Sequence, residues 1–395
     1  MILTMAVLVA LAVFCSAVQG GMRERYKTVR RSSTPAFRIL AVGFSEAGKT
    51  TLLAAMYHAL CHGNRAGISL RAEGATRAAL LQLCDLIRNP STRIHATLET
   101  ASYEFVVRAE SETLPKTTVC KLIYHDYAGE NGGNLLRPRL GEEPDPKFVK
   151  ALGEADVLMG LLDGALIAEL MSSGPNLRFE RELADLLLLV TEAKQQTVHL
   201  VITKWDLLHP SYTLDEVVEQ LRRFPQFVAF QNTPRPGRCR VIPVAALGTN
   251  GFTSRVGGVD VRDPDRDWRP EFVDVPLACT IPDVIDTQLR CLAATGGEKA
   301  GAVGKTVRWS QVSGLLIWFL QVLGLNITFR YVLGGNVDVS GLIGGGVNES
   351  FGRSADSGVD TGSVSGTSNR AALNTIRYFE SVVDDFERGF PGSNV

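Results

Sequence analysis

Residues Gly43-Phe44-Ser45-Glu46-Ala47-Gly48-Lys49-Thr50 constrain this chain more than any other stretch. Two glycines in this spacing, followed by Lys and Thr, form the signature of a phosphate-cradling loop. The apolar run at residues 37–42 reads as a buried strand, and residues 51–60 read as a helix. Strand, loop and helix in that order are the context the motif requires. Successive backbone N–H groups and a helix N-terminus then converge on an anion, and the glycines let the chain approach it closely. The expected phosphate-site residues are Gly43, Ser45, Glu46, Ala47, Gly48, Lys49, Thr50 and Thr51. Lys49 would reach the β- and γ-phosphates, and Thr50 would be a ligand of Mg²⁺.

A loop of this kind sits at the carboxyl end of a strand in an α/β sheet. The rest of the chain supplies such a sheet. Residues 76–87 have helical apolar spacing and form an extra helix before the next strand. Residues 102–109 and 118–124 read as a hairpin joined by a polar turn. Residues 156–164, 198–202 and 241–246 read as further strands, alternating with helices at 177–194, 213–224 and 275–292. Alternation of this kind predicts a doubly wound, mostly parallel sheet with one antiparallel hairpin strand. Residues 131–147 and 249–270 read as loops. With 395 residues, 45% of them hydrophobic and 21% charged, the chain can bury a full core. A net charge of −1 gives no basic field for nucleic acid. The seven cysteines form no C-x-x-C pair and read as buried, reduced thiols.

Three further motifs fall at the carboxyl ends of strands. Asp126-Tyr127-Ala128-Gly129 follows the second hairpin strand, Thr203-Lys204-Trp205-Asp206 follows residues 198–202, and Ala245-Ala246 closes the last strand. With the phosphate loop, they make the chain resemble a Ras-like P-loop GTPase of the translation-factor-related (TRAFAC) class over residues 37–295. The resemblance implies GTP and GDP as ligands with Mg²⁺ as cofactor. It implies that Asp206 accepts from N1–H and the 2-amino group of guanine, that Lys204 lies along the base plane beside Thr203, and that the Ala246 N–H meets O6. Asp126 would hold Mg²⁺ and the Gly129 N–H would sense the γ-phosphate. Thr97 is the expected switch ligand of the metal, with Thr92 and Thr100 as alternatives.

Two residues depart from the Ras-like pattern. Glu130 stands where those enzymes carry the Gln that orients water, so a carboxylate there acts as a base or repels the γ-phosphate. Ser45 replaces the glycine that leaves room for an arginine finger. Both imply slow hydrolysis without a partner. His125 reads as a structural strand-end residue, and Asp163-Gly164 as a strand terminus.

Outside the nucleotide domain the calls concern membranes and partners. Residues 1–20 carry no charge and are followed by Arg23, Arg25, Lys27, Arg30 and Arg31 in a basic linker, residues 21–36. This pattern reads as an uncleaved anchor with the following chain in the cytoplasm, against the competing reading of a signal peptide. Residues 296–311 read as a linker. Residues 312–333 form a second apolar segment, which spans a membrane, lies on it or packs against protein. Residues 334–369 are Gly- and Ser-rich and read as flexible. Residues 370–390 form an amphipathic helix that docks on its own core or on a partner. The layout is similar to that of the signal-recognition-particle receptor beta subunit, and the inserted helix and T-K-W-D-L-L segment resemble bacterial double-GTPase and conflict-system GTPases. The resulting expectation is a membrane-anchored molecular switch with a protein effector or activating partner. The alternative is a non-hydrolysing, nucleotide-dependent scaffold.

Overall fold

The computed structural model describes residues 34, 36–61, 68–89, 101–111, 114–126, 145–192, 197–235, 237–250, 253–256, 259–263, 266–297 and 363–395. The apolar run after residue 35 is β1 (Ala36–Val42), and α1 (Lys49–Leu60) starts directly after the phosphate loop. Then come β2 (Ile68–Arg71), the inserted helix α2 (Gly74–Arg88), and the long strands β3 (Ala101–Ser111) and β4 (Leu114–Asp126). The second half contains α3 (Pro146–Glu154), β5 (Val157–Leu162), α4 (Gly164–Ser173), α5 (Leu177–Glu192), β6 (Thr197–Ile202), α6 (Leu214–Leu221), α7 (Pro225–Asn232) and β7 (Cys239–Pro243). A small hairpin, β8 (Thr253–Val256) and β9 (Val259–Arg262), precedes the helices α8 (Val275–Gly297) and α9 (Ser363–Gly389).

The seven-stranded sheet has the order β2-β3-β4-β1-β5-β6-β7. Strand β3 runs antiparallel to both its neighbours, and the pairings from β4 to β7 are all parallel. The expected mostly parallel sheet with one antiparallel strand is therefore present. β1 is the central strand, flanked by β4 and β5, and every residue of β5 and β6 is buried. Strands covered on both faces must be apolar throughout, which explains Val157-Leu158-Met159-Gly160-Leu161-Leu162. One face packs against α1, α2, α8 and α9. The other packs against α3 to α7.

Several elements differ from the sequence reading. The region 249–270 contains the β8–β9 hairpin, hidden by its Gly, Asp and Arg content. Three helices appear where no periodic pattern was read: α3, α4 and α7. Asp145 caps α3 by accepting from the Lys147 N–H at 2.8 Å, with Pro146 at the first helical position. The helix expected at 213–224 is α6, begun by a Thr213–Glu216 capping box, and α7 follows it as a separate helix opened by Pro225. Proline lacks the N–H an internal turn needs, so it begins a helix more readily than it continues one.

The carboxyl-terminal helix docks on its own protein. Ile376, Phe379, Val383 and Phe386 are buried in the same core as β3 and β4, and the helix begins at Ser363 rather than 370. Beneath the sheet, Asp283 of α8 accepts from Arg240 Nε and Nη2 at 2.6 and 2.8 Å and lies 3.0 Å from His199 Nε2. The same guanidinium pairs with Glu387 and donates to Asn394 Oδ1. This network ties α8 and α9 to β6 and β7. Among the described residues no helix is long and apolar enough to cross a membrane. Residues 1–20, 298–311, 312–333 and 334–362, and all of the basic linker except residues 34 and 36, lie outside the described residues.

Candidate nucleotide-binding site

The phosphate loop adopts its shape because its glycines meet two separate demands. Gly48 has φ of 82°, a left-handed conformation that side chains resist. Gly43 has no such φ, but a Cβ there would lie 3.0 Å from Leu161 Cβ and 3.1 Å from its carbonyl oxygen. Glu46 is also left-handed, at φ 67°, and its side chain reaches toward Arg178 at 3.7 Å. Ser45 is half-buried beside it, Glu46 itself is exposed, and Ala47 is buried.

Lys49 turns back over the loop and donates to the carbonyls of Gly43 at 2.8 Å and Phe44 at 3.1 Å. Burial pushes its ammonium pKa down, and the Asp126 carboxylate pulls it part of the way back. Asp126 is the last residue of β4 and pairs in register with Ala41 of β1, which brings it beneath the loop. Its Oδ2 accepts from the Thr50 hydroxyl at 3.1 Å. Its Oδ1 is buried without a hydrogen-bond partner among the described residues. Burial raises the Asp126 pKa, opposed by Lys49 and Thr50. A buried carboxylate oxygen left unmet beside a hydroxyl suits a divalent cation held by few protein ligands. No cluster of three or more His, Cys, Asp or Glu exists among the described residues, so a cage made of protein alone is not seen there.

The second lobe of the site is built on β6 and β7. Thr203 is buried, and its hydroxyl donates to the carbonyls of Ala47 at 2.8 Å and Leu162 at 3.1 Å. It thereby bolts the phosphate loop to the T-K-W-D segment. Lys204, left-handed at φ 51°, pairs with Asp163 Oδ2 at 2.9 Å. Trp205 is buried and begins the 3₁₀ turn Trp205–Leu207 that carries the half-buried Asp206. Asp163-Gly164 does more than end a strand. Asp163 caps α4 through the Ala165 N–H at 2.8 Å, and a Cβ on Gly164 would meet the Thr203 carbonyl oxygen at 2.0 Å. Neither role announces itself in the sequence beyond the dipeptide.

Ala245 and Ala246 follow β7. The Ala245 N–H donates to the Glu271 carbonyl at 3.1 Å and its own carbonyl accepts from Glu271 N–H at 2.9 Å. His125 is half-buried on β4, and burial, then Arg38, hold its pKa below the ordinary value. Thr97, its alternatives Thr92 and Thr100, Gly129 and Glu130 lie outside the described residues. All the other predicted positions gather at the carboxyl ends of β1, β4, β6 and β7.

The Double-GTPase 2 family profile matches residues 38–244, more than half of the chain. The chain belongs to the Double-GTPase 2 family. It is a GTP-binding protein with a P-loop GTPase fold, as the motifs implied. No curated protein matches the sequence. Solved structures are similar at low identity. Nucleolar GTP-binding protein 1 of Plasmodium falciparum is 12% identical, with 68% of this chain and 97% of that one covered and a TM-score of 0.35. The signal recognition particle receptor SRβ-GTP/SRX complex of Chaetomium thermophilum is 19% identical, covering 56% and 94% with a TM-score of 0.29. The GTP-bound Ski7 GTPase-like domain of S. cerevisiae is 15% identical, covering 59% and 47% with a TM-score of 0.35. The Double-GTPase 2 match ends at residue 244, so Ala245, Ala246 and the Glu271 backbone bonded to Ala245 lie beyond it.

Proposed function

We propose that this protein is a membrane-anchored, Mg²⁺-dependent GTPase that acts as a molecular switch and hydrolyses GTP slowly without a partner. The observation that carries the reading is the Lys49–Thr50–Asp126 cluster, in which one buried carboxylate oxygen is unmet beside a hydroxyl 3.1 Å from its twin. Thr50 and Asp126 would hold Mg²⁺, joined by Thr97 in the GTP state. A bound Mg²⁺ neutralises phosphate charge and so assists attack at the γ-phosphorus. Lys49 exchanges two backbone carbonyls for phosphate oxygens, a change of side-chain conformation alone. The loop N–H groups and the start of α1 hold the phosphates.

Base selection falls to Asp206. Its carboxylate accepts from the two donors on the Watson–Crick edge of guanine. Adenine lacks them and would leave the carboxylate unpaired, a mismatch that polar sites reject strongly. Gly129 and Thr97 would release on loss of the γ-phosphate, which is how a loop becomes a switch. Ser45 and Glu130 support slow turnover: one crowds the place an arginine finger needs, and the other puts a carboxylate where water is oriented. Residues 1–20 and the five basic residues after them support anchoring with the GTPase domain cytoplasmic. An effector or activating protein follows from slow intrinsic turnover.

Single-turnover hydrolysis by wild type and Glu130→Gln tests the reading. Slow Mg²⁺-dependent turnover that changes about tenfold or more in the variant is expected, as for a residue acting on the attacking water. Tight GTP binding with no turnover in either protein would favour the nucleotide-dependent scaffold. Turnover of tens per second by wild type alone would end the slow-switch reading.

A further inference from the structure

Residues 266–272 form a strap across the loop that carries Ala245 and Ala246, and the contacts between them fix consecutive peptide planes. The Ala245 carbonyl accepts from Glu271 N–H at 2.9 Å and from Gly248 N–H at 3.0 Å. A trans peptide points its N–H opposite its carbonyl, so the Ala246 N–H is aimed away from the strap. The Ala246 carbonyl accepts from the Trp268 indole Nε1–H at 2.8 Å, in a buried setting. That bond sets the next plane and turns the Leu247 N–H the same way. Gly248, left-handed at φ 82°, permits the close approach, since a Cβ there would lie 2.2 Å from the Arg269 carbonyl oxygen. The indole is itself clamped. His58 of α1 stacks on it with ring centroids 4.4 Å apart and planes 8° from parallel. Arg88 of α2 lies over the same ring at 5.8 Å and bonds His58 Nδ1 at 3.0 Å.

We infer that Trp268 is a specificity-determining positioning residue for the guanine base: it fixes the backbone on either side of Ala246 so that the donors at Ala246 and Leu247 face O6. This rests on the reading of Ala246 as the O6 partner. The strap lies outside the segment matched by the family profile, and its indole connects the O6-reading loop to the helix that begins at the phosphates. Trp268 touches no nucleotide atom; it acts through Ala246.

The test uses the full chain and two ratios of equilibrium affinity. GDP against 6-thio-GDP reports on O6, whose replacement by sulfur weakens the acceptor. GDP against IDP reports on the 2-amino group, which Asp206 would read. Trp268→Phe keeps a ring against His58 and removes the donor. It is expected to weaken GDP about tenfold, the effect of one buried carbonyl losing its partner. The GDP/6-thio-GDP ratio should collapse toward one while the GDP/IDP ratio stays as in wild type. His58→Ala, which loosens the clamp but keeps the indole donor, should lower the melting temperature, and its effect on the GDP/6-thio-GDP ratio should be smaller than that of Trp268→Phe while the GDP/IDP ratio stays as in wild type. Benzothienylalanine at position 268, which replaces the indole N–H by sulfur at nearly constant shape, should act as Trp268→Phe and serves if that variant folds poorly. Two results overturn the inference: an unchanged GDP/6-thio-GDP ratio in both position-268 variants, or an equal fall in both ratios. A wild type with no preference for GDP over IDP or 6-thio-GDP would instead remove the guanine-site reading on which it stands.

Discussion

Gly164→Ala separates local propensity from long-range packing with opposite signs. Gly164 is the first residue of α4, where alanine is the better helix former by up to about 1 kcal/mol. Propensity alone therefore predicts a more stable protein. The structure predicts the reverse. An added Cβ would sit 2.0 Å from the Thr203 carbonyl oxygen and 3.0 Å from that of Lys204. Backbone has to move about 1 Å before the first contact reaches even the shortest separation real Cβ atoms show, the difference between 3.0 and 2.0 Å. Overpacking of this kind costs roughly 1–3 kcal/mol. The displacement does not stay local, because the Thr203 hydroxyl also holds the Ala47 carbonyl of the phosphate loop at 2.8 Å. A displacement of about 1 Å in a positioning group can cost on the order of a hundredfold, so GDP affinity should fall by about ten- to a hundredfold. Urea unfolding and titration with a fluorescent GDP analogue read the two effects. Gly174→Ala is the control: φ is 87° and ψ −158°, a glycine-only conformation, but open space surrounds the site, so stability should fall by about 1–3 kcal/mol with GDP binding unchanged. Wild-type GDP affinity together with increased stability in Gly164→Ala would refute the coupling of Gly164 to the base and phosphate loops.

Asp283→Ala leaves the buried Arg240 guanidinium and His199 without their carboxylate, and should destabilise by about 3–5 kcal/mol in chemical unfolding, the usual consequence of breaking a buried pair on one side. Burial raises the Asp283 pKa, but Arg240 and His199 lower it further, and the net value lies well below the ordinary carboxylate range. A depressed folded pKa gives stability that is present above the unfolded value, about 3.9, and lost only as pH falls below it. The Asp283 carboxylate should therefore stay ionised from about pH 7 down to about pH 5, and an NMR titration of this carboxyl group within that range would contradict it. Asp126 behaves oppositely. Its folded pKa is raised by burial, so the nucleotide-free protein loses stability as pH rises through that value. Deprotonation also frees the carboxylate for a cation. The extra thermal stabilisation by Mg²⁺ with GDP over GDP alone should grow as pH rises through that raised value, and a difference that is flat with pH would argue against Asp126 as a metal ligand.

The parts legible in the sequence were those written in consecutive residues. Gly43 to Thr50 announces a loop because glycines at fixed spacing answer steric demands of the loop itself. Thr203 to Asp206 is legible for the same reason, and the apolar runs of β1, β5 and β6 follow from burial on both faces. What the sequence concealed depends on residues far apart in the chain. Gly164 matters because of Thr203, and Trp268 because of Ala246, and no periodicity in either neighbourhood records those meetings. Thr203 carried a familiar motif, yet its hydroxyl bonds backbone at Ala47 and Leu162. The docking face of α9 was visible as Ile376, Phe379, Val383 and Phe386. Its seat against β3, β4 and α8 was not, because amphipathicity states that a face is covered and leaves the cover unspecified. The helices α3 and α7 had a readable signal in Pro146 and Pro225 at their first positions, outweighed by the polar composition around them.

The central claim is that this fold selects guanine through Asp206 and its neighbours while Lys49, Thr50 and Asp126 hold the phosphates with Mg²⁺. Thermal unfolding of the full chain with Mg²⁺ and either GTP or ATP tests it most directly. A ligand at a hundred times its dissociation constant stabilises by about 2.7 kcal/mol, so GTP should raise the melting temperature by several degrees and ATP at the same concentration should leave it unmoved. Equal protection by ATP, or no protection by GTP or GDP at millimolar concentration, would contradict the account.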